Sequence, residues 1–250
     1  MRHSRIVAPV IVAAVLILLW IGVSYFELVS AFALPDPGSV LMRLIRGLNE
    51  GFLITSAWQT LHIAVIGSLI AAFIGIPVGF GITHYQPFSA ALEPYLAASQ
   101  AIPAVAFAPL LVLWVGYGMA PIVILCVLMV IFPIIINTAV GVRDVDPDIL
   151  DAARLDGASG MRLMKSIEFP LALPAILAGI RTGFTLSITG AVVGELVIGG
   201  QRGLGIELTT AQHLNDAPGM FATIAILAVL AIGMYLALRA LETRVLAIVS

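Results

Sequence analysis

Lysine is almost missing from this chain, and the single one, Lys165, does not follow a glycine, so no G-x4-G-K-[ST] phosphate loop exists. ATP binding by that route is excluded. Cysteine is equally scarce. Cys126 stands alone inside an apolar run, which rules out a disulfide within the chain and leaves the redox compartment unread. The four histidines, His3, His62, His84 and His213, lie on separate segments, and neither an H-E-x-x-H motif nor a Cys/His cluster occurs, so nothing supports metal chemistry. Charge is the largest deficit: 10% of residues are charged, against about 25% in soluble domains. What fills the space is apolar, with 61% hydrophobic residues and a mean hydropathy of +1.12. This is the composition of an all-α, polytopic membrane protein. Its net charge of −2 says little about partners, because sign matters only where residues leave the bilayer; no nucleic acid is expected among them.

About six spans are legible. Arg2 and Arg5 precede an apolar run over 6–26, long enough for a core that needs about 20 helical residues and longer than a signal-peptide core. An uncleaved first helix is therefore expected, although Ala31-Phe32-Ala33 has the small residues of a cleavage site. After the turn-rich 34–39, the residues Val40, Leu41, Leu44, Ile45 and Leu48 follow helical spacing beside Arg43 and Arg46, as in an interfacial amphipathic helix or one packed on neighbouring spans. A second span covers 58–82, thinned by Gly67, Gly75, Gly79 and Gly81. A third, over 94–115, is expected to be interrupted at Pro103 and Pro109, and a fourth covers 121–140. The fifth, over 173–198, carries Gly179, Gly183, Gly190 and Gly194, and the sixth covers 220–238. Polar side chains within the spans are few. His62, Gln100, Asn137 and Glu195 are the candidates for a path through the membrane, three of them with a structural alternative: packing for His62, bonding to freed carbonyls for Gln100, and a solvated or structurally paired end residue for Glu195.

The polar island 141–170 interrupts this apolar background. Asp146 suits an N-cap, Pro147 the first helical position and Asp148 the positive end of the helix dipole. Gly157 suits a left-handed C-terminal stop; Ser159 is expected to cap a second short helix, with Leu163 and Ile167 on one face, that Pro170 ends. Ala152 and Ala153 leave a shallow surface on the first of the two helices.

Asp151-Ala152-Ala153, three residues, Gly157, nine residues, Ile167, one residue and Phe169-Pro170 closely resemble the E-A-A-x3-G-x9-I-x-L-P loop of ATP-binding-cassette importer permeases. Asp151 replaces the usual glutamate and Phe169 the usual leucine, while the spacing is intact. Leu34-Pro35-x-Pro37, Gly75-Ile76-Pro77-x-Gly79, Ile102-Pro103 with Ala108-Pro109-Leu110, and Gly194-Glu195 with Gly203-Leu204-Gly205 extend the resemblance to permeases of the nitrate, sulfonate and taurine group. It implies a type I importer permease fold in one domain, 1–250, with 141–170 as the loop that docks on the ATPase through Asp151, Ala152, Ala153, Arg154, Asp156, Gly157, Ala158, Ser159, Ile167 and Pro170. It also implies cytoplasmic ATPase subunits that hold ATP and magnesium, no cofactor in this chain, an extracytoplasmic solute-binding protein and a second permease copy as a homodimer in the lipid bilayer.

Basic residues set the orientation. With both termini in the cytoplasm of a bacterial cell, Arg2, Arg5, Arg143, Arg154, Arg162, Lys165, Arg239 and Arg244 lie inside and only Arg43, Arg46 and Arg202 lie outside. The docking loop then faces the ATPase. The expected function is a non-enzymatic permease for a nitrate-, sulfonate- or taurine-type solute; the alternatives are a thiamine pyrimidine precursor or another heterocycle, and, in a different class, a self-sufficient secondary transporter. Such transporters often carry inverted repeats and ionisable groups in their spans; no clear repeat is visible here, and such groups are few.

Overall fold

A computed structural model describes residues 4–30 and 32–249, with no side-chain description for 4–10, 13–14, 100 and 248–249. Among the described residues there are helices and turns and no strands. In order these are α1 (Ser4–Tyr25), α2 (Pro37–Asn49), α3 (Phe52–His84), α4 (Gln86–Ala101), a 3₁₀ turn (Ala104–Phe107), α5 (Ala108–Val115), α6 (Met119–Arg143), α7 (Pro147–Leu155), α8 (Gly160–Leu163), a π turn (Met164–Glu168), α9 (Phe169–Ile198), α10 (Leu204–His213) and α11 (Ala217–Val249). The described residues contain 4 helices long and apolar enough to cross a membrane: α3, α6, α8 continued through α9, and α11. The bent pair α4 and α5 makes up to 5. The expected count of six adds α1, whose described apolar part is Val15–Tyr25.

The core is a three-helix slab with α6 between α3 and α9, and small residues on the outer two make it possible. On α3, Gly67, Ala71, Gly75 and Gly79 recur every fourth residue and so share one face. A Cβ on Gly67 would stand 2.5 Å from the Cys126 Cβ, and one on Gly79 would stand 2.6 Å from the Thr138 Cβ. On α9, Gly179, Gly183, Gly190 and Gly194 meet Asn137, Val130, Met129 and Ile122 in the same way. The large residues of α6, Leu125, Val130 and Ile134 among them, fill the space so created and are fully buried. Close backbone approach through small residues is how helices gain van der Waals contact where lipid removes the hydrophobic drive. Ser187 Oγ donates to the Ala64 carbonyl at 2.8 Å and ties α9 directly to α3. These glycines pack the spans of one chain against one another.

Of the three prolines expected to interrupt or end helices, only Pro103 redirects the chain. The expected single span over 94–115 is replaced by α4 and α5 meeting at 94°. Ile102, forced out of helical geometry by Pro103, is extended at φ −94° and ψ 116°. Pro109 falls in the first turn of α5, where its missing N–H has no partner to lose, and it interrupts nothing. Pro170 likewise does not end a helix. Phe169 N–H donates to the Met164 carbonyl, five residues back, and this π turn absorbs the proline so that 160–198 runs on as one rod of 39 residues.

At the end of the slab opposite the 141–170 loop, α2 lies across α3 and α11. Asp36 caps α2 by accepting from Ser39 N–H at 2.9 Å. That backbone donor holds the Asp36 carboxyl below its ordinary range, so the ionised cap is kept at neutral pH and lost only as pH falls through the lowered value. Arg43 on α2 pairs with Asp216 at 2.7 Å and lies over the Phe52 ring, while Leu41 and Ile45 remain exposed. Both readings of the amphipathic helix, packed on spans and facing outward, describe parts of it. Trp20 Nε1 donates to the Pro35 carbonyl at 2.9 Å and anchors the end of α1.

Candidate docking loop and transport path

The loop begins where α6 ends at Arg143 and the chain turns through Val145, which is buried. Asp146 accepts from Asp148 N–H at 2.9 Å, and Pro147 starts α7, both as the sequence leads one to expect. Gly157 adopts φ +87°, Ala158 N–H bonds to the Ala153 carbonyl at 2.9 Å, and Gly157 N–H bonds to the Arg154 carbonyl at 3.0 Å. Those two bonds make a Schellman ending, which satisfies the last carbonyls of α7 through the left-handed residue. Ser159 occupies the N-cap position of α8 with extended backbone, but its side chain makes no capping bond, a correction to the expected cap. Gly160 takes φ +53°, and the hairpin closes through two left-handed glycine bends, Gly157 and Gly160, separated by Ala158 and Ser159.

The result is an exposed knob. Asp151 accepts from Arg154 Nη1 at 2.8 Å on its surface, and Asp151, Ala152, Arg154, Asp156, Gly157 and Ser159 are all exposed, with Ala153, Ala158 and Ile167 partly buried. Leu155 is 89% exposed, and Ile149 and Met161 join it as uncovered apolar side chains on an otherwise charged loop. Sequence reasoning passed over these three; the available signal was a leucine wedged between Arg154 and Asp156 on the polar side of α7. Behind the knob, Glu168 sits buried in the π turn with Oε2 2.8 Å from His84 Nε2, joining the loop to the end of α3. His84 Nδ1 is 2.9 Å from the Phe80 carbonyl. A cleft of about 620 Å³ opens beside this contact, lined by Phe80, His84, Met164 and Phe169.

The four candidate path residues do not converge. Asn137 is partly buried, donates from Nδ2 to the Pro133 carbonyl at 2.8 Å and lines a cavity of about 510 Å³ with Ser99, Ile102, Met129, Phe132 and Leu186. Gln100 belongs to the last turn of α4 beside that cavity, and its side chain lies outside the described residues. His62 is exposed on α3. Glu195 is 1% exposed, accepts from Gly205 N–H at 2.7 Å and lies 2.8 Å from Thr60 Oγ1, so of its two readings the buried structural partner is the one observed. Arg181 in α9 pairs with Glu242 of α11 at 2.8 Å and lies over the Tyr235 ring.

The architecture is that of an importer permease. A solved chain of the MetNI methionine ABC transporter in inward-facing conformations superposes with a TM-score of 0.69 at 17% identity, over 80% of this chain and 96% of that one. The family described as binding-protein-dependent transport system inner membrane component matches residues 71–247, and this chain belongs to it. Curated relatives share its length. The riboflavin transport system permease protein RibX of Chloroflexus aurantiacus is 39% identical over 85% of this chain and 79% of its own. The formylaminopyrimidine transport permease protein ThiX of Halalkalibacterium halodurans is 32% identical over 98% and 97%, and the taurine transport system permease protein TauC of Escherichia coli is 32% identical over 92% and 86%. The protein is thus a non-enzymatic permease component of an ABC importer in the inner membrane, a class that works with an ATPase and a binding protein.

Proposed function

We propose that the chain is a single permease domain working as a homodimer, with both termini in the cytoplasm and its 147–159 knob seated in a groove of a separate ATPase that binds ATP and magnesium. The observation that carries this reading is the knob itself: a Schellman-closed helix that exposes Ile149 and Leu155, with Met161 exposed beside it at the start of the rod leading into the membrane. Exposed apolar side chains on a charged element are what a partner groove covers. One docking loop per chain supports the dimer, and a second copy of this chain supplies the other loop. A cytoplasmic position for the loop follows from the basic residues on it and near the termini. Co-purification tests the reading: a cassette ATPase is expected to remain bound in detergent, with two permease copies of this one chain per complex, and uptake in liposomes is expected only with the ATPase and binding protein added. Uptake by the chain alone would make it a secondary transporter.

The path is proposed to run along the cavity at the α4–α5 bend, past Asn137 and the end of α4. Its described lining, Ser99, Ile102, Met129, Phe132, Asn137 and Leu186 among others, is mostly apolar and includes no basic side chain. That favours an uncharged heterocycle, of the kind RibX and ThiX are named for, over a sulfonate or taurine-type solute. The binding protein selects the cargo, so the ligand it retains on purification tests the choice.

Asp151→Ala is expected to lower uptake by less than about fivefold, because an exposed ion pair such as Asp151–Arg154 is worth about 0–1 kcal/mol. Initial uptake rates beside ATPase co-purification measure it.

A further inference from the structure

The rod that begins beside the docking knob ends in a buried carboxylate, and the two ends are far apart: 39 helical residues span about 58 Å at 1.5 Å each. At the far end Glu195 holds three elements at once. Its Oε2 accepts from Gly205 N–H at 2.7 Å, at the start of α10, and Thr60 Oγ1 of α3 lies 2.8 Å from Oε1 and 3.0 Å from Oε2. Thr60 Oγ1 in turn accepts from Leu204 N–H at 2.9 Å. One turn earlier on α3, Ser56 Oγ donates to Glu207 Oε1 at 2.8 Å and repeats the tie to α10.

The surrounding backbone is shaped to this carboxylate. A Cβ on Gly203, whose φ is +149°, would overlap the Glu195 carboxylate, and one on Gly205 would stand 2.7 Å from the Glu195 Cβ and 2.6 Å from the Val192 carbonyl. No basic side chain neutralises Glu195 among its described contacts; neutral donors alone hold it. A buried carboxyl group needs such partners in place of the water it loses. Between the rod and α10 runs the loop 199–203, which with Gln59, Gly118 and Met119 lines a cavity of about 310 Å³ that Gln201 and Arg202 rim.

Resting on the permease reading above, we infer that Glu195 is a positioning residue that locks α10 and the 199–203 loop to α9, so that displacement of the rod from the docking knob moves the rim of that cavity, which serves as the mouth at the opposite end. Without the lock, the rod still moves with the ATPase and the mouth no longer follows. Glu195 touches no solute in this scheme. Its role is to make the far loop part of the same rigid body, which short, buried, mutually oriented hydrogen bonds do better than apolar contact alone.

The test reads both ends of the rod in one preparation. The permease–ATPase complex is reconstituted in nanodiscs in a Cys126→Ala background, with a reporter cysteine at Gln201→Cys or Ala158→Cys, and maleimide labelling rates are compared with and without ATP plus vanadate. In the parent, both reporters are expected to change rate by threefold or more. With Glu195→Ala, the reporter at 158 should still respond and that at 201 should not, while the ATPase stays bound and uptake falls tenfold or more. Glu195→Gln, which can keep both partners, should restore the response at 201. Thr60→Val, a same-sized change, is expected to weaken the response at 201 and gives the answer should the alanine variant not accumulate. A response at 201 that survives Glu195→Ala, or is missing in the parent while 158 responds, overturns the lock. A failure of the ATPase to bind or of 158 to respond in the parent overturns the docking reading instead, and the lock with it.

Discussion

Replacing Gly157 with valine is expected to abolish uptake and loosen the ATPase while leaving the permease inserted and stable. The backbone there sits at φ +87°, where a side chain costs about 1–2 kcal/mol, and a β-branched one more. Nothing lies within 4 Å of the position a Cβ would take, so the strain meets no wall of neighbouring atoms and no packing forces the loop to keep its shape. The chain relieves it by abandoning the Schellman ending, which turns Ala158 and Ser159 away and dissolves the outline a groove would recognise. The slab of α3, α6 and α9 does not feel this. Gly157→Ala grades the argument: it carries the left-handed penalty without the branched carbon and should retain part of the uptake. Membrane yield, ATPase co-purification and uptake are measured together. If Gly157→Val transports at the parent rate with the ATPase bound, the knob does not work as a groove-filling element.

The second large effect is on stability. Gly79→Val is expected to remove most folded protein from the membrane, because its Cβ would lie 2.6 Å from the Thr138 Cβ and 2.9 Å from the Ile135 carbonyl oxygen. A carbonyl in the middle of α6 cannot step aside as a side-chain tip can, so α3 and α6 must part along the Gly67, Ala71, Gly75 and Gly79 stripe. Overpacking of this kind costs about 1–3 kcal/mol or more. Gly233→Val is the control: nothing lies within 4 Å of its added Cβ, and its yield and detergent melting temperature should match the parent. Equal melting temperatures for the two variants would show that α3 and α6 are not held by that stripe.

The difference between these two glycines explains what the sequence made legible. Gly157 declared its role locally, through a motif of fixed spacing and a helix that had to stop. The stripe on α3 was visible as close packing, but which helix it met was not, because periodicity names a face and never its partner. The proline effects split the same way. Pro103 did break the chain, through the extended Ile102 before it, whereas Pro109 and Pro170 were absorbed by a first turn and a π turn whose neighbours tolerate a missing N–H. Glu195 stayed ambiguous because its partner Thr60 lies 135 positions away in sequence. Leu155, Ile149 and Met161 were missed because apolar residues are too common in this chain for three more to stand out.

The π turn at Met164–Glu168 also fixes an angle. Each residue of an α-helix advances the chain by about 100°, and a π turn holds one residue more than the α-helical turn it replaces. The knob and the membrane-crossing part of α9 are therefore set about a third of a rotation away from the alignment an uninterrupted α-helix would give them. Which side of α9 faces α6, and which side of the knob faces outward, are linked through that one extra residue, so the direction of a push on Leu155 and the direction in which α9 swings are set by helical phase.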